Sequence, residues 1–237
     1  MTAIELVVLD MAGTTVRDDG VVEQAFQRAA ERTGVADRMP WSQALQYVRE
    51  TMGMSKIDVF THLAGGDANA ATAATAAFEG AYSEIIAEQG VEAISGAGEM
   101  IGGLRDAGIT VALTTGFAPV TRDALIDALG WRDLIDFALS PADAGRGRPA
   151  PDLVLTALLR SGAPSVQAVA VAGDTSSDVE SGRRAGAGFV AGVLSGAHDR
   201  DALSAADAVL ESVADLPAAL AERGLIDAVL AAPARAS

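Results

Sequence analysis

Sixteen arginines and a single lysine, Lys56, supply the basic side chains of this 237-residue chain. Arginine stays protonated in proteins, whereas a desolvated lysine can lose its proton and become a nucleophilic amine. A lysine kept amid so strong an arginine bias points to amine chemistry; the plain alternative is a leftover cation on a solvated helix face. Carboxylates form the second group. Asp10 closes the apolar run IELVVLD and opens the turn Asp10-Met11-Ala12-Gly13-Thr14-Thr15. Asp174 follows another run, AVAVAG, and stands four residues before Asp178 in Gly-Asp-Thr-Ser-Ser-Asp. A carboxylate at the C-terminal end of a central parallel strand lies where α/β folds bind ligands. Two acids in one such turn suit a hard divalent cation such as magnesium (Mg2+), which takes one or two carboxylates, waters and a substrate phosphate oxygen. Taken singly, each strand-end Asp reads first as a helix N-cap; the ordered set asks for more.

These side chains need a scaffold. The runs Ile4–Asp10, Ile109–Thr115, Ala168–Gly173 and Gly188–Val193 are short, apolar and rich in β-branched residues, as buried strands of a parallel sheet are. Helical stretches lie between them at Ala97–Ala107, Pro119–Leu129, Asp152–Leu159 and Ser177–Ala185. The alternation predicts an α/β fold with a parallel sheet. The gap between the first two strands exceeds one crossover helix and holds several helical patterns. It predicts an all-helical insert, a cap spanning 17–95 over the sheet's C-terminal edge, with 1–16 and 96–237 as the core. Gly20 and Ser95–Gly96 are the expected hinges, and the tail Ala231–Ser237 is expected to fray.

Bulk properties narrow the partners. Half the residues are hydrophobic, enough for a sizeable core. The net charge of -15 argues against nucleic acid, since phosphate backbones attract basic surfaces. There is no cysteine, so disulfides and thiolate metal sites are excluded. The N-terminus lacks a basic leader, and no apolar run reaches the ~18 residues of a membrane helix. The expectation is a soluble, cytoplasmic protein that engages neither membrane nor nucleic acid.

Taken in chain order, the chemical residues resemble the haloacid dehalogenase superfamily. Asp10 fits its nucleophile motif, Thr114 its phosphate-binding Thr/Ser motif, Arg148 in Gly-Arg-Pro its third-motif cation, and Asp174 through Asp178 its acidic metal motif. The resemblance implies a Rossmann-like core whose Asp10 attacks phosphorus to form an aspartyl phosphate, with magnesium and Arg148 offsetting the phosphoryl charge. The implied metal set is Asp10, the Ala12 carbonyl, Asp174 and Asp178. Gly13, Met52, Thr115 and Gly116 join as implied substrate contacts.

One departure is informative. Phosphatases of the superfamily carry a second Asp two residues after the nucleophile, which protonates the departing alkoxide; here that position is Ala12. Asp-x-Ala-Gly-Thr with a third-motif Arg resembles the phosphonatase (phosphonoacetaldehyde hydrolase) subgroup, which cleaves a carbon–phosphorus bond. That subgroup carries a cap lysine in Met-Gly-x-x-Lys-Ile-Asp, and this chain reads Met52-Gly53-Met54-Ser55-Lys56-Ile57-Asp58. The resemblance implies a Schiff base: Lys56 condenses with an aldehyde beta to phosphorus, and the protonated imine accepts the electrons of the breaking bond. A helical segment would set Met52 one turn before Lys56, both facing substrate. Other subgroup features are missing: Val59, Phe117 and Val21 replace a cap His, a Tyr and a Cys, and His62 stands six residues from Lys56. Proton transfer around the imine is therefore unassigned, and Arg146 reads as a surface cation. The family resemblance also implies a homodimer built through the caps. Two alternatives stay open: a C–O phosphatase of a small phosphorylated metabolite, with Lys56 only binding substrate, and a non-catalytic sensing module.

Overall fold

The computed structural model describes residues 2–227; the tail Ala231–Ser237 lies outside them. Six strands form one parallel sheet in the order β3-β2-β1-β4-β5-β6. They are β1 (Leu6–Asp10), β2 (Thr110–Thr114), β3 (Phe137–Leu139), β4 (Val169–Gly173), β5 (Phe189–Val193) and β6 (Ala208–Leu210). The four apolar runs supply β1, β2, β4 and β5. The two edge strands were not expected. Each has three residues and half-buried positions, so neither carries the long continuous apolar run that marks a central strand.

Strand alternation sorts the side chains onto two faces. Val7, Leu9, Val111, Leu113, Ala170 and Ala172 belong to one core layer, with Met100, Ile101 and Leu104 of α5 (Ala97–Asp106). Leu6, Val8, Ala112, Val169 and Val171 belong to the other, with Leu153, Val154 and Ala157 of α8 (Asp152–Ser161). Helices α6 (Pro119–Ala128), α7 (Pro141–Ala144), α9 (Ser176–Ala185) and α10 (Leu216–Glu222) complete the layers.

Between β1 and β2 the chain forms α1 (Val21–Thr33), α2 (Trp41–Glu50), α3 (Lys56–Leu63) and α4 (Ala68–Gln89). Helix α4 is a run of strong helix formers. Asp67 caps it, accepting from the amides of Asn69 and Ala70 at 3.0 Å. An aromatic cluster holds the bundle: Phe26 of α1 lies 5.0 Å from Phe60 of α3 and 4.7 Å from Phe78 of α4, ring centre to ring centre. The two links between sheet and bundle pair with each other. The Arg17 amide donates to the Glu92 carbonyl and the Ile94 amide to the Thr15 carbonyl, both at 2.9 Å. Gly20 and Gly96, just beyond these links, both hold positive φ. Among the described residues no helix is long and apolar enough to cross a membrane.

The chain winds outward from β1 in one direction, returns at β4, and winds outward in the other. The crevice between the C-terminal ends of β1 and β4 is thus a topological switch point, the place where open α/β sheets bind ligands. Asp10 ends β1 and Asp174 directly follows β4.

Candidate active site

Asp10, Asp174 and Asp178 each turn a carboxylate oxygen into one buried cluster, all within 4.8 Å of one another. Asp174 is fixed from both sides: Thr14 Oγ1 donates to its Oδ1 at 3.0 Å and the Ala197 amide to its Oδ2 at 2.7 Å. Burial, and then the charge of Asp10, push its pKa up to about 7. Asp178 plays a different part. Its Oδ2 accepts from the Thr175 amide at 3.1 Å and from Thr175 Oγ1 at 2.5 Å, closing the capping box that starts α9. Its Oδ1 pairs with Arg148. Both oxygens are engaged, so Asp178 serves first to hold Arg148, whose Nη1 also lies 2.5 Å from Asp10 Oδ1. Arg148 Nε is the one buried side-chain nitrogen or oxygen among the described residues without a hydrogen-bond partner.

Two like charges buried together call for a cation. Asp10 and Asp174 offer hard oxygen donors at the switch point, so the residues fit a magnesium ion. Close packing keeps this floor narrow. A Cβ on Gly13, whose φ is +88, would fall on the Asp174 carboxylate.

Lys56 comes down from the bundle. It begins α3, is 5% exposed, and its Nζ lies 5.4, 5.5 and 5.1 Å from the ring centres of Phe26, Phe78 and Phe117. Among the described residues no carboxylate lies within ion-pair distance of it. Burial, and next the charge of Arg148, lower its pKa to about 8. A narrow cavity of about 20 Å³ is lined by Lys56 above and Asp10, Arg148 and Asp174 below. That is room for little more than one water.

Of the expected contacts, Ala12, Met52, Thr115 and Gly116 also line this cavity. Two sequence readings need correction. Thr114, expected at the phosphate, directs Oγ1 to the Leu9 carbonyl at 3.4 Å and does not line the cavity; its successors Thr115 and Gly116 do. Met52 is not a helical turn before Lys56. Residues 51–54 form a turn, with Gly53 at φ +83, and α3 starts only at Lys56. Met52 reaches the cavity through that turn instead. His62 stacks on Tyr47 with ring centres 3.9 Å apart. Arg146 is a surface cation paired with Asp152 at 2.7 Å.

Sequence reasoning passed over three features. Phe26, Phe78 and Phe117 surround the lysine, yet nothing in their spacing separates them from ordinary core. Asp18, in the Arg-Asp-Asp-Gly turn, lines the cavity; its place soon after the Asp10 motif was the available signal. His198 bridges sheet and bundle. Its Nδ1 accepts from the Ser176 amide at 2.9 Å, which leaves the proton on Nε2 to donate to the Arg49 carbonyl at 3.1 Å.

Comparison with known proteins bears on the whole chain. The sequence profile of haloacid dehalogenase-like hydrolases matches residues 4–186. A phosphonoacetaldehyde hydrolase of Bordetella avium is 30% identical, over 98% of this chain and 94% of that protein. A probable phosphatase, IndB, of Dickeya dadantii is 27% identical, over 85% of this chain and 86% of its own length. The crystal structure of a phosphonoacetaldehyde hydrolase-like protein from Oleispira antarctica superposes with a TM-score of 0.78 at 25% identity, covering 94% of each chain.

Proposed function

The chain belongs to the haloacid dehalogenase-like hydrolases, and from that premise we propose that it cleaves the carbon–phosphorus bond of phosphonoacetaldehyde or a close analogue. The observation that carries this reading is the placement of Lys56: a buried amine with its pKa lowered to about 8, sharing one narrow cavity with Asp10. A lysine that only bound an anion would gain from staying charged. A lysine buried away from water and beside Arg148 gives up its proton more easily and attacks a carbonyl as the free amine.

The α1–α4 bundle acts as the cap, residues 17–95, over a core formed by 1–16 and 96–237. Lys56 Nζ adds to the aldehyde carbon, and loss of water gives a protonated imine. Asp10 Oδ attacks phosphorus in line with the C–P bond. As that bond breaks, its electron pair flows into the imine and leaves an enamine, so no alkoxide needs protonation and Ala12 is no defect. Arg148 holds the phosphoryl oxygens, and its unpartnered Nε supports that role. Magnesium, held by Asp10 and Asp174, would further offset the phosphoryl charge. Protonation of the enamine carbon restores the imine, and water then hydrolyses the imine and the aspartyl phosphate. The small cavity requires the cap to lift for substrate to enter and for products to leave.

A C–O phosphatase is the second reading, favoured by the similarity to the probable phosphatase. Ala12 argues against it, because it supplies no acid for the leaving alkoxide. Borohydride separates the two. Under the proposed reading it traps the aldehyde on Lys56 and nowhere else apart from the α-amino group, and Lys56→Arg loses both adduct and C–P cleavage. A Lys56→Arg enzyme that still released phosphate from phosphonoacetaldehyde would refute the imine.

A further inference from the structure

Imine formation needs a proton at one defined atom, the hydroxyl oxygen of the carbinolamine, which must leave as water. The cavity offers few sources. Asp10 is paired with Arg148 at 2.5 Å and is the nucleophile of the proposed mechanism. Residues 12 and 59 are Ala and Val. His62 is stacked on Tyr47 away from the lining, and Glu79 is committed to the start of α6, accepting from the Ala118 amide at 3.0 Å and from Thr121.

Asp18 remains. Its half-buried carboxyl lines both the narrow cavity and a larger cleft of about 420 Å³ between bundle and sheet. Its Oδ1 accepts from the Val22 amide at 3.0 Å, which orients the group at the start of α1, and its Oδ2 has no hydrogen-bond partner among the described residues. We propose that Asp18 is the proton-transfer residue for Lys56, giving a proton to the departing carbinolamine hydroxyl and taking one back when the imine is hydrolysed.

The inference rests on the imine chemistry proposed above. In the forward step the C–O bond breaks with its electrons going to oxygen. The Asp18 proton joins that oxygen, water leaves, and the nitrogen lone pair closes the C=N bond. On the return, water adds to the iminium carbon and surrenders a proton to the Asp18 carboxylate. The outer cleft gives this water a way in and out. Burial raises the Asp18 pKa, against the opposing Val22 amide and the charge of Lys56, so the carboxyl keeps its proton to higher pH than a surface acid. The other charged and titratable groups around it are Asp19 and Glu23 of its own segment, Arg17, Arg49 and His198 around the cleft, and Asp10, Arg148 and Asp174 across the cavity.

The test follows imine formation alone, with acetaldehyde as the probe. Full-length enzyme is mixed with acetaldehyde, quenched with borohydride at increasing times from pH 5 to 9, and the Lys56 adduct is counted by mass spectrometry. Asp18→Asn keeps an oxygen for the Val22 amide but carries no transferable proton. Labelling in this variant should slow by about 100-fold, the usual scale of general acid–base catalysis, and lose the limb of the pH profile due to Asp18. Asp18→Glu should recover part of the rate, and melting temperatures would report any loss of fold. Asp18→Asn labelling at the wild-type rate with an unchanged pH profile would overturn the assignment and leave the Schiff base standing. Wild-type enzyme that never labels would overturn both.

Discussion

Replacing Lys56 with methionine should make the protein more stable at neutral pH while abolishing C–P cleavage. Methionine has a similar length and no charge to desolvate. The drop in the lysine pKa from 10.5 to about 8 corresponds to a penalty of about 3 kcal/mol for holding the ammonium in its pocket. Attraction between the ammonium and the three phenylalanine rings returns some of this, up to about 2 kcal/mol where desolvated. A net gain of about 1–3 kcal/mol for Lys56→Met follows, or about 3–9 °C in Tm for a chain of this size. The sign depends on pH. The folded-state pKa lies below the unfolded one, so the penalty is complete below about 8, where both states are protonated, and it vanishes above 10.5, where both are neutral. The assay is thermal unfolding of both proteins by circular dichroism from pH 6 to 10.5. The difference in Tm removes the titration of every group the two proteins share. An equal or lower Tm for the variant at pH 7, or an advantage that grows with pH, would refute the picture of a desolvated amine.

Under the proposed mechanism the same amine sets the pH profile of catalysis. C–P cleavage should rise with pH up to an apparent pKa of about 8, as the neutral amine accumulates, and a pH–rate study checks this. Asp10→Asn should remove turnover with the fold intact, because the amide is nearly isosteric but a poor nucleophile; circular dichroism and a phosphate-release assay decide it. Phosphate release should also vanish in chelator-treated enzyme and return with added magnesium, and Asp174→Ala should lower it by orders of magnitude. Ala12→Asp should not improve C–P cleavage, since a further carboxylate on the cavity wall repels an anionic substrate; comparing kcat/KM on phosphonoacetaldehyde and on a phosphate ester tests it.

The central sheet was readable because parallel strands buried on both faces leave continuous apolar runs, and β1, β2, β4 and β5 do so. β3 and β6 have three residues each and half-open sides, so their pairing comes from neighbours rather than from their own pattern. The acids at the ends of β1 and β4 were legible for a similar reason: strand ends are fixed points, and residues beside them have little freedom of placement. Residues 51–55 were harder. A helical spacing from Met52 to Lys56 is compatible with the sequence, but Gly53 takes a positive φ and the chain turns there instead. The aromatic surroundings of Lys56 were out of reach, because Phe26, Phe78 and Phe117 come from three distant segments and meet only through tertiary packing. Asp18 lay among charged turn residues, marked only by its place soon after the Asp10 motif.

That turn above the sheet has a consequence for how the protein tolerates mutation. The turn at residues 51–54, with Ser55 after it, sits on the core through glycines on both sides. A Cβ at Gly116 would come within 2.5 Å of the Met54 carbonyl oxygen, one at Gly147 within 2.6 Å of Ser55 Cβ, and one at Gly53 within 2.5 Å of Thr175 Oγ1. Under the proposed cap motion these contacts would break each time substrate enters. A side chain at Gly116 or Gly147 therefore presses on the seated turn, not on the core of either part. A screen that scores folding would pass many such variants, whereas a screen that makes growth depend on turnover would reject them. Under the proposed cap motion, the fit at these glycines would be felt in turnover as well as in resting stability.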